Sequence, residues 1–417
     1  RHQAPHPALR PRGQDLTDLS LITSRGIGYR AEGRMGAGSS WRGRRGYRQA
    51  GNTGVMNTPA SSPASSVEPR TPRLLDRLVP VSPQWRIPPR KAERLGWLQL
   101  LLGVAVVFIV QVLAVILAVM TGFARLTANG RLESLPDAIF VMAIAGAPLA
   151  LLGYWLLVRL IGRRPVIELG GRRAALREFS VGLAIGALLM CAIVAILALI
   201  GSYHVVDIGW SDGILGGLGA GVLAGFTEEI LFRGILLRLL EGWLGTWWAL
   251  AITSFLFGVS HLGNAHATVF GAVAIALEAG ILLGACYLLT RRLWMVIGVH
   301  IAWNFVQGGI FGSDISGIGT GRGLIEARFT GPDLLTGGAM GIEASIVAII
   351  VCTAAGLAVL VEVHRRGLIV PPCWRRLELR DAAVDERSDE WPPVRGQGRV
   401  MNGSAPGVRG AAQPGSR

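Results

Sequence analysis

Residues 225–234 read Gly225-Phe226-Thr227-Glu228-Glu229-Ile230-Leu231-Phe232-Arg233-Gly234, inside an apolar stretch that runs from about 213 to 238. Two carboxylates and a guanidinium at bilayer depth cost several kcal/mol unless they face the protein interior, pair, or line water. The stretch is long enough to cross a ~30 Å hydrocarbon core, which takes about 20 helical residues. Its charges therefore require neighbouring helices to turn toward. Seven more apolar stretches supply them, at about 97–120, 138–161, 179–201, 245–263, 266–290, 293–312 and 342–363. The expected fold is all-α: a polytopic transmembrane helical bundle of about eight spans, with disordered polar tails.

Composition agrees. The 417 residues are 51% hydrophobic and 16% charged, with mean hydropathy +0.46. A soluble domain carries roughly 25% charged residues. The net charge of +14 gathers in the N-terminal tail and in short loops, where a membrane protein keeps its basic residues against anionic lipid, so no nucleic-acid partner is expected. Cys191, Cys286, Cys352 and Cys373 are widely spaced with no C-x-x-C, which argues against a disulfide framework or a thiolate metal site.

The chain divides into a basic N-terminal tail at 1–94, a transmembrane domain at 95–370 and a polar C-terminal tail at 371–417. The first tail is rich in Arg, Gly, Pro and Ser and reads as disordered. Met35 and Met56 are alternative starts. Basic residues cluster before the first stretch (Arg90, Lys91, Arg94), after the second (Arg163, Arg164, Arg172, Arg173, Arg177), after the sixth (Arg291, Arg292) and after the last (Arg365, Arg366). With eight spans all four clusters fall on one side, which puts both termini in the cytoplasm.

Polar pairs at i,i+4 recur on three apolar stretches. Glu229 and Arg233 share a helix face and can pair, while Glu228 is turned about 100° away. Two adjacent carboxylates in a low dielectric push one pKa upward, which is how a general base near neutral pH is made. Phe257 and His261 share a face of the fifth stretch, and His300 and Asn304 a face of the seventh. Each pair also has a plain reading: an ion pair joining helices, an interfacial histidine, or an interhelical hydrogen bond worth only about 0.6 kcal/mol in a membrane. Gly217, Gly221 and Gly225 form a small-residue stripe suited to close helix packing. Glu278 and Gln111 read as structural or cavity-lining residues.

Taken together, the pairs supply a base, proton shuttles and an oxyanion donor, the parts needed to add water to an amide carbonyl. They equally contain a Glu/His/His set able to hold zinc. No H-E-x-x-H, G-x-S-x-G or paired intramembrane Asp is present.

The order E-E-x-x-x-R, F-x-x-x-H, H-x-x-x-N over roughly 180–312 resembles the CPBP (Abi) family of intramembrane proteases. That family includes type II CAAX prenyl endopeptidases and bacteriocin-processing or immunity proteins. The resemblance implies a membrane-embedded endopeptidase acting on a membrane-associated or CAAX-like peptide or protein. It implies Glu228 and His261 as the groups that activate water, and His300 and Asn304 as the oxyanion pair. Glu229, Arg233 and Phe257 are then supporting residues. Two accounts of cofactor follow from the same family: zinc held by Glu228, His261 and His300, or a glutamate-dependent reaction without a tightly held metal. Phe311-Gly312-Ser313-Asp314 only partly echoes the acidic loop that ends the site helix in many members, so Asp314 receives no role. The rival readings are an immunity or membrane-partner protein with little turnover, and a transporter, although no inverted repeat is visible. The Arg, Gly and Ala content suits a bacterial cytoplasmic membrane protein.

Overall fold

A computed structural model describes residues 95–126, 132–134, 138–319 and 321–375. The predicted N-terminal tail at 1–94 and the C-terminal tail from 376 lie outside the described residues. Helix α1 (Gly96–Met120) leads to a short antiparallel ribbon of β1 (Ala124–Leu126) and β2 (Leu132–Ser134). Helix α2 (Ala138–Leu156) ends in a π-helical turn at Leu157–Ile161, and α3 (Arg172–Leu199) follows. Strand β3 (Tyr203–Ile208) precedes α4 (Asp212–Glu229), which runs through a π-helical segment, Ile230–Leu237, into α5 (Arg238–Leu244). Then come α6 (Thr246–Ser260), α7 (Val269–Ile275), a π turn at Ala276–Gly280, α8 (Ile281–Thr290) and α9 (Trp294–Asn304), with another π turn at Phe305–Ile310. Strand β4 (Ile325–Phe329), the short α10 (Asp333–Thr336) and α11 (Ile346–Arg365) complete the described chain.

Every predicted apolar stretch is helical, yet among the described residues six helical segments are long and apolar enough to cross a membrane: 96–120, 138–161, 172–199, 212–244, 269–290 and 346–365. The fifth and seventh stretches are shorter helices. The fifth overran because Gly245 is at φ +79° and starts α6, and because the chain tightens to a 3₁₀ turn at His261–Gly263. Apolar sequence continues through both breaks, so hydropathy alone does not mark them. Helix α9 is buried from Met295 through Asn304; it is the core of the bundle and has no lipid face there.

Small residues point inward and large ones outward. In α1 the buried positions are Gly96, Gln99, Gly103, Val107, Val110, Ala114 and Ala118, a helical period. Phe108, Leu199 and Leu188 are 69%, 87% and 69% exposed, a pattern that suits lipid rather than water. Gly221 shows why small residues are needed: a Cβ there would sit 2.7 Å from the carbonyl oxygen of Ile301 in α9. Gly221 and Gly225 thus face α9, the helix that carries His300 and Asn304, and Gly217 faces Gly309 in the π turn that follows it.

One end of the bundle is clasped by ion pairs. Arg164 pairs with Glu168 at 2.7 Å, Arg291 with Glu241, and Arg292 with Glu178. Arg291 also donates to the carbonyl of Leu368 at 2.8 Å, and Arg238 to Gln99 of α1 at 3.1 Å. The start of α1, the α2–α3 loop, the α8–α9 turn and the segment after α11 therefore meet at one end. At the other end β3 and β4 pair antiparallel, an element absent from the sequence reading. Arg322 hydrogen-bonds Asp207 at 2.7 Å and holds its carboxyl below the usual range, helped by the backbone amide of Ile208. Burial pushes the Tyr203 hydroxyl up to about 12, so it stays protonated and donates to the carbonyl of Phe311 at 3.1 Å.

Candidate active site

The EEIxxR stretch sits where α4 loosens into its π-helical segment. π-helical turns widen the backbone and concentrate at functional sites. Glu229 is fully buried, and its Oε1 lies 3.0 Å from Arg233 and 2.7 Å from Nδ1 of His300. Arg233 also donates to the carbonyl of Ala279 at 3.1 Å, where the π turn at 276–280 alters the helical hydrogen-bond pattern. Its guanidinium carbon stands 4.4 Å from the centre of the Phe257 ring, close enough for a cation–π contact. Phe257 packs edge-on to Phe232, His261 and His300, with ring centres at 4.9, 5.0 and 6.2 Å.

Glu228 points elsewhere, as the ~100° turn per residue demands. Its Oε2 is 3.9 Å from Nε2 of His261. That is too long for a direct hydrogen bond, and it is the span that one water molecule bridges off the line of centres. The side chain of Glu228 is 31% exposed, while the Oε2 atom itself is buried without a hydrogen-bond partner. His261 is the first residue of the 3₁₀ turn rather than a mid-helix residue. Its Nδ1 lies 2.7 Å from the carbonyl of Phe257, which favours a proton on Nδ1 and leaves Nε2 a lone pair facing Glu228.

The sequence-predicted residues thus assemble in two connected sets. Glu228 and His261 face each other; Glu229, Arg233 and His300 form a hydrogen-bonded chain; Phe257 lies between. Asn304, the last residue of α9, is buried and lines the same cavity as His261 and His300. That cavity is small and partly open, with about 30 Å³ of room for water-sized molecules. Sequence reasoning missed Trp303, Ser316 and Glu343, which also line it. Glu343 carried one signal, a carboxylate at the very start of the last apolar stretch. Asp314 instead shapes the loop, accepting from the amides of Ile315 and Gly319 and approaching His266 at 3.3 Å.

Among the described residues no three His, Cys, Asp or Glu side chains are grouped so as to hold a metal ion. His300 has committed Nδ1 to Glu229, and His261 has committed Nδ1 to a backbone carbonyl. The zinc set drawn from Glu228, His261 and His300 does not converge as placed.

Residues 209–306 match the family model described as type II CAAX prenyl endopeptidase, Rce1-like. Over that segment the chain is similar to this family. The match begins just before α4 and ends after Asn304, so it takes in Glu228, Glu229, Arg233, Phe257, His261, His300 and Asn304. It supports a CAAX-type intramembrane endopeptidase in general terms, and with the six long apolar helices an integral membrane protein. No curated protein matches the chain.

Proposed function

We propose that the chain hydrolyses a peptide bond of a membrane-associated or CAAX-like protein or peptide, with Glu228 as the general base. The observation that carries this reading is the 3.9 Å separation of Glu228 Oε2 and His261 Nε2, at the edge of a cavity that His300 and Asn304 also line. A water held between the two takes up the position of nucleophile. Glu228 accepts its proton as the oxygen attacks the scissile carbonyl, and His261 aligns the water through Nε2.

The carbonyl oxygen becomes an oxyanion. His300, with Nδ1 donating to Glu229, offers a second proton at Nε2 when charged, and Asn304 offers its amide. Preorganised donors of this kind are each worth roughly 10²–10³ in rate. Charge balance favours the arrangement: two carboxylates, Glu228 and Glu229, face one guanidinium and one imidazolium. Collapse of the intermediate expels the amine, which takes back the proton held by Glu228. The substrate lies against the lipid bilayer. We further propose that both termini are cytoplasmic, on the exposed Arg163, Arg172, Arg173 and Arg177; Arg164, Arg291 and Arg292 are already engaged in ion pairs.

The test is cleavage of a peptide library by detergent-purified protein, wild type beside Glu228→Ala. Cleavage by wild type and none by the variant is expected. Equal cleavage by both removes Glu228 from the reaction. An immunity or membrane-partner role gains ground if neither sample cleaves any peptide.

A further inference from the structure

The cavity holds two carboxylates that the hydrolysis does not use. Glu278, in the π turn between α7 and α8, is 1% exposed, and its Oε2 has no hydrogen-bond partner. Glu343, in the 3₁₀ turn before α11, is 3% exposed and accepts from Nε1 of Trp303 at 3.4 Å. Both line the cavity that His261, His300 and Asn304 line. Arg233 is directed to Glu229 and to the carbonyl of Ala279.

A buried carboxylate without a partner is costly. Oε2 of Glu278 and Oε1 of Glu343 are both buried without a hydrogen-bond partner, and two such oxygens in one cavity are an arrangement that a donor-bearing cation relieves. The remaining wall includes Ile275, Leu282, Leu283 and Val299, an apolar lining suited to a methylene stem with a charged tip. A metal is a poor fit, because two carboxylates fall short of a closed ligand set and no third donor is grouped with them among the described residues. A pocket that combines apolar side chains with two carboxylates selects a basic side chain.

We propose that Glu278 and Glu343 form a specificity subsite that receives a lysine or arginine side chain of the substrate close to the scissile bond. This rests on the endopeptidase reading above and adds to it a substrate class. It also explains why Glu343 is anchored through Trp303, the neighbour of Asn304: the subsite and the oxyanion donor are carried by adjacent residues of α9.

The experiment uses the full chain in detergent and pairs of internally quenched peptides that differ by lysine or norleucine at one position, scanned along the peptide. Binding is read by fluorescence anisotropy on the Glu228→Gln protein, and cleavage on wild type. At one position the lysine peptide is expected to bind about tenfold tighter, the scale of one charge-assisted hydrogen bond. That preference is expected to collapse in Glu278→Gln and in Glu343→Gln. Equal binding at every position overturns the proposal, and so does a preference that survives both substitutions. So does a divalent ion that displaces the peptide and binds wild type but not the glutamine variants.

Because either variant can fail to fold, a carbodiimide cross-link between the bound lysine and the Glu228→Gln protein provides a second reading. Linkage mapped to Glu278 or Glu343 supports the subsite; linkage elsewhere overturns it. Lysine-selective binding without any cleavage by wild type would remove the hydrolytic reading and leave the subsite standing, so the two fail separately.

Discussion

Glu229 holds His300: a carboxylate oxygen of α4 lies 2.7 Å from the imidazole Nδ1 of α9, seventy-one residues away in sequence. The same oxygen takes Arg233 at 3.0 Å. In the proposed reaction the adjacent glutamates therefore have different work, Glu229 in orienting and charge balance and Glu228 in contact with the reacting water. Glu228→Gln is expected to lower kcat by about 10²–10⁴, the range for loss of a positioned acid–base group, with little change in thermal stability because its Oε2 makes no direct hydrogen bond and stands 3.9 Å from His261. Glu229→Ala is expected to lose activity together with about 3–5 kcal/mol of stability, because it strands two buried cationic partners. Activity assays beside thermal melts in detergent separate the two. A Glu228 variant that melts as low as the Glu229 variant would contradict the division.

Arg233→Lys should behave as a loss. The guanidinium serves Glu229, the carbonyl of Ala279 and the Phe257 ring at once, and an ammonium cannot reproduce that fork. The cost expected is about 1.5–3 kcal/mol, the worth of hydrogen bonds to a charged group, with kcat falling because His300 and Phe257 lose their common support. A variant with wild-type melting and wild-type kcat would show that Arg233 acts only as a point charge.

Helix approach sets the site as firmly as its polar groups do. The Cβ of a residue at 221 meets the Ile301 carbonyl, whereas a Cβ at Gly242 meets nothing within 4 Å. Gly221→Val is expected to push α9 from α4, separating His300 from Glu229 and abolishing cleavage. Gly242→Ala, inside α5, is expected to keep activity and add about 0.5–1 kcal/mol of stability. Cleavage rate and melting temperature for the pair decide the matter. An active Gly221→Val protein would mean that the α4–α9 spacing is not critical.

The polar motifs were legible because i,i+4 spacing puts Glu229 on Arg233 and turns Glu228 away, whatever the tertiary fold. Apolar runs gave the helices for the same reason. What stayed hidden depends on chain segments far apart or on departures from the α-helix. Strands β3 and β4 pair Tyr203 with Phe329, a partnership no local pattern announces. The π turns at 230–237, 276–280 and 305–310 leave hydropathy unchanged while redirecting Arg233 and Glu278. Glu343 reads as the edge of a span, and only the folding of the 311–345 segment over the bundle brings it into the cavity.

Chelation is the remaining test, and the donor geometry gives its expected sign. A zinc site built on Glu228, His261 and His300 needs ligand atoms within about 2.0–2.2 Å of one point. His300 already gives Nδ1 to Glu229 and His261 gives Nδ1 to the Phe257 carbonyl. The Nε2 atoms remain, yet no three-donor group forms among the described residues. Cleavage by purified protein is therefore expected to survive incubation with 1,10-phenanthroline, with kcat unchanged and no response to added zinc. Loss of cleavage on chelation, restored by zinc in wild type but not in His300→Ala, would show that the two histidines and Glu228 close on a metal in the working enzyme. Glu229 would then be the group that orients a metal ligand rather than an oxyanion donor.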